Sequence, residues 1–60
     1  MTAAEAIEEI SREVQYMKKA LQERRRAPRH RAEQITVNLQ TSAYRIRFAV
    51  DCWLEERARE

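Results

Sequence analysis

The chain has 60 residues, one cysteine, one proline and no glycine, and 37% of its residues are charged. A chain of this length buries only about 60% of the surface that it exposes when unfolded, so its core is small. The single cysteine excludes an intrachain disulfide, and no cluster of residues has metal-ligand spacing. We therefore predict helices with few loops, which gain further stability by oligomerising or by folding against a partner.

The same composition indicates a protein that binds rather than catalyses. His30 lies among arginines and Cys52 has no base nearby in the sequence, so neither residue belongs to a pattern that supports catalysis. We expect no enzymatic activity and no cofactor. A lone cysteine is typical of a reducing compartment, and no apolar run has the length of a signal peptide or a membrane span. These features predict a cytoplasmic protein without a membrane partner.

The first predicted helix covers residues 3–26. Thr2 and Glu5 match a capping box, which marks a helix start. Apolar residues then recur at alternating spacings of four and three, the narrow stripe of a coiled-coil seam. This stripe consists of Ala3, Ile7, Ile10, Val14, Met17 and Leu21. Pro28 cannot continue the helix but suits the first turn of a new one, which predicts an elbow at residues 26–29.

The second predicted helix covers residues 30–58 and has two apolar faces. The broad face contains Ile35, Leu39, Ser42, Ala43, Ile46, Ala49, Val50, Trp53 and Leu54. The opposite side carries what we call the aromatic stripe, which consists of Val37, Tyr44, Phe48 and Cys52. One face can pack on the first helix, and the other needs cover that a single chain does not supply.

The predicted fold is therefore all-α. It is one domain over residues 1–60, a two-helix antiparallel hairpin that dimerises into a four-helix bundle. Its predicted core packs one set of large residues from each helix together. These sets are Ile10, Val14, Met17 and Leu21 on the first helix and Leu39, Ile46, Val50 and Trp53 on the second.

Charge is unevenly distributed, although the net charge is only +2. Residues 1–13 hold four glutamates and one arginine, a balance of −3, and residues 51–60 have a balance of −2. Residues 24–31 have a balance of +5, from Arg24, Arg25, Arg26, Arg29 and Arg31. Arginine is favoured where carboxylate or phosphate is bound by two parallel hydrogen bonds. This cluster is either a solvated helix end or a contact for an anion, on an acidic protein or a nucleic acid.

The aromatic stripe also has two interpretations. It is either the seam of a homodimer or a docking surface for a different protein. Arg45 and Arg47 flank its two aromatic residues, and tyrosine and arginine are enriched at binding hot spots. The predicted partner-binding residues are Tyr44, Arg45, Arg47, Phe48 and Cys52, together with the five arginines of the cluster.

Residues 35–58 resemble the opening of a ribbon-helix-helix DNA-binding protein, in which a short strand with alternating residues precedes a helix. The resemblance covers 24 residues, ITVNLQTSAYRIRFAVDCWLEERA. It implies that Ile35, Val37 and Leu39 point inward. It also implies that Thr36, Asn38 and Gln40 face DNA bases in a two-stranded ribbon and that Arg29 and Arg31 contact phosphates.

Three functional hypotheses are consistent with the sequence. The leading hypothesis is a small non-enzymatic regulator, an inhibitor or adaptor that forms a homodimer and binds a protein partner. Its size and composition fit the small inhibitors of host proteins that phages and plasmids encode. The alternative is a dimeric DNA-binding transcriptional regulator of the ribbon-helix-helix type, with nucleic acid as its partner. A third is a purely structural subunit of an assembly.

Overall fold

A computed structural model describes residues 1–59, and two helices contain nearly all of them. Helix α1 spans Ala3–Arg26 and helix α2 spans Arg29–Arg59. The helices pack side by side in opposite directions, and their Cα atoms extend over 49 × 15 × 9 Å. The predicted helical hairpin is confirmed, and α1 begins and ends where the capping box and Pro28 predict.

Helix α1 begins at the predicted capping box. The backbone N–H of Glu5 donates to Thr2 Oγ1, and the backbone N–H of Thr2 donates to Glu5 Oε1, each at 3.1 Å. These bonds satisfy donors that the start of a helix otherwise leaves unpaired. Two hydrogen bonds to the Glu5 carboxylate, first from the Thr2 backbone N–H and second from the Thr2 side chain, lower the pKa of Glu5 from its ordinary value of 4.5, because both favour the charged form.

The elbow between the helices consists of Ala27 and Pro28. Ala27 has an extended backbone, with φ −83° and ψ 149°, and its N–H donates to Arg24 O at 3.3 Å. A residue that precedes a proline disfavours the helical region, so α1 ends here. The Pro28 carbonyl already accepts from the Ala32 N–H at 2.9 Å and so starts the hydrogen bonds of α2. The chain thus reverses without a glycine.

The seam between the helices is built mainly from small side chains. Its buried residues recur at every seventh position, as Ala6, Glu13 and Ala20 on α1 and as Ile35, Ser42 and Ala49 on α2. Such a spacing keeps each set in one line that faces the other helix. Among the buried residues that the structure describes, Ile35 is the only large aliphatic side chain.

The broad face predicted for the second helix does meet α1, since Ile35, Ser42 and Ala49 belong to it, but the large residues predicted to form the core do not fill the seam. Val14 and Leu21 are 36% and 43% exposed, and the other predicted core residues are only half-buried. When only two helices pack together, each can bury just one narrow line of residues. The buried lines here consist mainly of small residues, which let the two backbones approach closely. The larger apolar residues of the predicted core therefore flank the seam instead of filling it.

Candidate protein-binding surfaces

The apolar residues that flank the seam lie on a single side of the hairpin. The residue directly after a seam position is turned by about 100° around its helix. Viewed from one end of the hairpin, this rotation is clockwise in one helix and anticlockwise in the other, because the chain directions are opposite. This turn therefore leads to the same side for both helices. The hydrogen bond from Arg24 Nε to Thr36 Oγ1, 2.9 Å long, joins the two helices on this side.

We call this side the open face. It is lined by exposed and half-buried apolar residues from the whole length of both helices. These are Ile7, Ile10, Val14, Met17 and Leu21 on α1, and Leu39, Ala43, Ile46, Val50, Trp53 and Leu54 on α2. Contiguous apolar patches on soluble proteins usually mark interaction sites. The open face is therefore the largest candidate interface of the hairpin.

The opposite side of the hairpin is polar and carries ion pairs between the helices. Arg31 Nη2 lies 2.8 Å from Glu23 Oε1 near the elbow, and Arg45 Nη1 lies 3.5 Å from Glu13 Oε1 near the middle. At the far end, the amino group of Met1 contacts the Glu56 carboxylate. These contacts make this side more polar than the open face.

The aromatic stripe lies away from the open face and runs from the outer surface of α2, at Val37 and Tyr44, towards the polar side of the hairpin, at Phe48 and Cys52. Tyr44 and Phe48 are 69% and 68% exposed and stand one helical turn apart, so they form one patch. Val37 is exposed as well, whereas the free thiol of Cys52 is half-buried. Beside this patch runs a groove that is lined by Met1, Glu9, Thr41, Tyr44, Arg45, Phe48 and Ala49.

Two arginines border the aromatic patch, as the sequence indicates. Arg45 lies on the side towards α1, where it reaches Glu13, and Arg47 lies on the other side, with Nε 3.8 Å from Asp51 Oδ2. Both guanidinium groups are largely exposed. Exposed ion pairs contribute little to stability, so Arg47 can turn towards a carboxylate on a partner at small cost, whereas Arg45 also neutralises the buried Glu13 carboxylate.

Three of the five elbow arginines are engaged within the chain. Arg24 donates to Thr36, Arg31 donates twice to Glu23, and Arg29 Nε lies 3.7 Å from Glu33 Oε1. Arg25 and Arg26 line a groove at the elbow and have no ion pair within residues 1–59. The cluster thus combines structural contacts with two cations that remain available.

The structure does not bring the elbow and the aromatic stripe together. Fifteen residues separate Arg29 from Tyr44 on α2, which corresponds to about 22 Å along the helix at 1.5 Å per residue. The predicted partner-binding residues therefore form two separate surfaces, one cationic and one aromatic.

The strand implied by the ribbon-helix-helix resemblance is wrong, because residues 35–40 lie inside α2. A helical spacing of apolar residues runs through this segment and outweighs its short alternation. Thr36 is half-buried and donates to the Ala32 carbonyl, and Asn38 accepts from Gln34. Gln40 is exposed on the same side of the helix as Thr36, whereas Asn38 is turned by about 160° from both of them. Thr36, Asn38 and Gln40 therefore do not form a row that faces DNA bases.

Sequence reasoning missed two features of these surfaces. Glu13 is a seam residue, which its seven-residue spacing from Ala6 and Ala20 would have indicated. Glu9 and Met1 border the aromatic patch, and this contact depends on how α1 and α2 pack, so no local pattern predicts it.

A scan against protein-family models and comparisons with curated proteins and solved structures match nothing to this chain. Among the described residues, no helix combines the length and the apolar composition that are needed to cross a bilayer.

Proposed function

We propose that this chain is a small non-enzymatic regulator, an inhibitor or adaptor that works as a dimeric four-helix bundle and docks on a protein partner through the outer surface of α2. The observation that carries the proposal is the exposed pair Tyr44 and Phe48, held on one helix between Arg45 and Arg47.

The physical chemistry of this patch favours binding to a protein. Burying a large apolar side chain contributes about 1.5–3 kcal/mol. Because Phe48 is exposed in the hairpin, this free energy is gained only when a partner covers it. Tyrosine and arginine are the residue types that most often dominate binding energy. A helix also holds the patch in a fixed conformation, so little ordering entropy is lost on docking.

The elbow supplies a second element of recognition. Arg25 and Arg26 lie at the tip of the hairpin without an ion pair among residues 1–59, and charges of this kind mainly affect the encounter rate and the choice of partner. The matching partner has an apolar pocket for the aromatic pair and acidic groups within reach of the arginines.

The test of this function is capture of a partner by the immobilised chain from a bacterial lysate. The wild-type chain is compared with Tyr44→Ala/Phe48→Ala and with a control, Gln15→Ala/Lys18→Ala, which changes exposed residues of α1. Circular dichroism and sedimentation confirm that each variant is folded and dimeric. We expect wild type and control to capture the same protein, and the aromatic variant to bind it at least about 30-fold more weakly, as loss of one hot spot implies. Equal affinity of the aromatic variant for that protein would refute docking through the stripe.

A further inference from the structure

We propose that a second copy of this chain covers the open face and that the two elbows lie at opposite ends of the resulting bundle. This inference rests on the dimeric state in the proposed function, and it is independent of whether a protein partner binds the aromatic stripe.

The seam alone is too small to hold the hairpin together. The buried hydrophobic residues of the single chain are Ala6, Ala20, Ile35 and Ala49, and only one of these is large. Alanine adds little apolar area, so most of the burial that stabilises a small fold has to come from elsewhere. The open face contains the large aliphatic residues and the tryptophan that can provide it.

The size of the open face matches what a stable dimer needs. A face 49 Å long and 15 Å wide corresponds to about 700 Å², close to the ~800 Å² that each partner contributes to a standard interface. Its α1 half repeats at spacings of three and four, as in helices that pack against other helices along their whole length. A second copy supplies the same pattern and the same length.

Two face-to-face arrangements of the copies have twofold symmetry. If the elbows lie at the same end, each α1 rests on α2 of the second copy. If the elbows lie at opposite ends, α1 rests on α1 and α2 rests on α2. Both arrangements bury the open face, so apolar contacts do not choose between them.

Charge distinguishes the two arrangements. The elbow segment 24–31 has a balance of +5, and the segments at the other end, residues 1–13 and 51–59, have balances of −3 and −1. With elbows at the same end, two cationic elbows meet and two acidic ends meet. With elbows at opposite ends, each cationic elbow lies beside the acidic end of the other copy. Coulomb attraction therefore favours opposite ends.

This arrangement also defines where a partner docks. When α2 lies beside α2 of the second copy, both aromatic stripes share one flank of the bundle. Tyr44 is near the middle of α2, so the two copies of Tyr44 come near the twofold axis. A partner can then contact both copies at once.

Cysteine cross-linking tests the arrangement in a Cys52→Ser background. Val14 follows Glu13 on α1, and Ala43 follows Ser42 at the same height on α2, so both lie at the middle of the open face. Disulfides need Cα atoms within about 6 Å. With elbows at opposite ends, Val14→Cys chains and Ala43→Cys chains each cross-link to themselves. With elbows at the same end, a mixture of the two gives the mixed disulfide.

The matched control is Gln15→Cys, at the same height on the outer side of α1. We expect self-linked Val14→Cys and Ala43→Cys dimers to form at least tenfold faster than Gln15→Cys dimers under the same mild oxidation. Preference for the mixed disulfide would overturn the orientation. Equal rates at Val14 and Gln15 would overturn the use of the open face. Sedimentation of the wild-type chain, which needs no variant to fold, should give twice 7.2 kDa, and a monomer at micromolar concentration would overturn the dimer itself.

Discussion

Glu13 and Arg45 join the two helices near the middle of the hairpin, with 3.5 Å between Glu13 Oε1 and Arg45 Nη1. The two side chains differ in environment, since that of Glu13 is 11% exposed and that of Arg45 is 64% exposed. A carboxylate in a seam of alanines is costly unless a cation lies beside it. The pair therefore favours the register that places these two residues together.

This pair predicts a coupled response to substitution. Arg45→Ala should lower the free energy of unfolding by about 1 kcal/mol, because it leaves the Glu13 carboxylate without its cation in a mostly dry seam. The loss is modest because solvent screens the exposed guanidinium. Glu13→Ala should change stability by less than about 1 kcal/mol, since an alanine continues the line of Ala6 and Ala20.

The double variant Glu13→Ala/Arg45→Ala completes the cycle. Urea denaturation should show that removing Arg45 costs nothing further once Glu13 is absent. If the two single effects simply add, Glu13 and Arg45 do not interact and the seam register has another origin.

The small side chains of the seam set the distance between the helices. Ala20→Leu should force α1 and α2 apart and cost about 1–3 kcal/mol, because a well-packed seam has no room for three more carbon atoms. Ala4→Leu adds the same atoms at an exposed position of α1 and should cost less than about 0.5 kcal/mol. Thermal denaturation of both variants measures the difference. Similar melting temperatures would contradict the packing of the helices through this line.

The capping box predicts a specific dependence on pH. The pKa of Glu5 is lowered from 4.5 in the folded chain, so folding favours its carboxylate. The resulting stability is fully present above pH 4.5 and is lost as the pH falls through the lowered pKa. A carboxyl titration by NMR should place the midpoint of Glu5 below 4.5.

Thr2→Ala is the control for this titration. It removes the Thr2 hydroxyl from the box and should cost about 1 kcal/mol of stability. The Glu5 midpoint should move back towards its ordinary value but not reach it, because the stronger bond comes from the Thr2 backbone. An unchanged midpoint would show that the hydroxyl has no part in the shift.

The elbow arginines should affect recognition more than folding. Arg25→Ala/Arg26→Ala removes the two cations that lack an ion pair in the described part of the chain, so stability and dimerisation should change by less than about 0.5 kcal/mol. Partner binding should weaken, and more so at low salt than at high salt, because salt already screens the wild-type attraction.

The affinity is measured across a salt series, with dimerisation followed in parallel. The triple variant Arg24→Ala/Arg25→Ala/Arg26→Ala also loses the hydrogen bond from Arg24 to Thr36. Comparing it with the double variant distinguishes the arginine that stabilises the hairpin from the two that attract a partner. If affinity is unchanged at every salt concentration, the elbow is only a solvated helix end.

Local signals in the sequence were sufficient for the helices. Thr2 and Glu5 mark the start of α1, and Pro28 marks the elbow, because each acts through hydrogen bonds or sterics within a few residues. The residues that fill the seam could not be predicted in the same way. Apolar periodicity ranks residues by size and hydrophobicity, whereas the seam depends on how closely two particular backbones approach.

The candidate site was predicted in part. Helical spacing alone predicts that Tyr44 and Phe48 share one side of α2 and that Arg45 and Arg47 flank them, whereas their exposure could not be predicted, because the sequence left a homodimer seam as an alternative. The separation of this patch from the elbow also follows once α2 is known to be continuous. The contact of Arg45 with Glu13 and the groove beside Glu9 depend on packing between the helices, which a single sequence does not reveal.

In the proposed assembly, a second copy covers the open face, and the aromatic stripe stays free for a partner. NMR with a neutral, water-soluble paramagnetic agent measures this difference in exposure directly in the assembled chain. We predict that the methyl groups of Val14 and Leu21 are shielded, although both residues are exposed in the single hairpin, while the rings of Tyr44 and Phe48 are strongly broadened. Equal broadening of Val14, Leu21 and Phe48 would contradict the account.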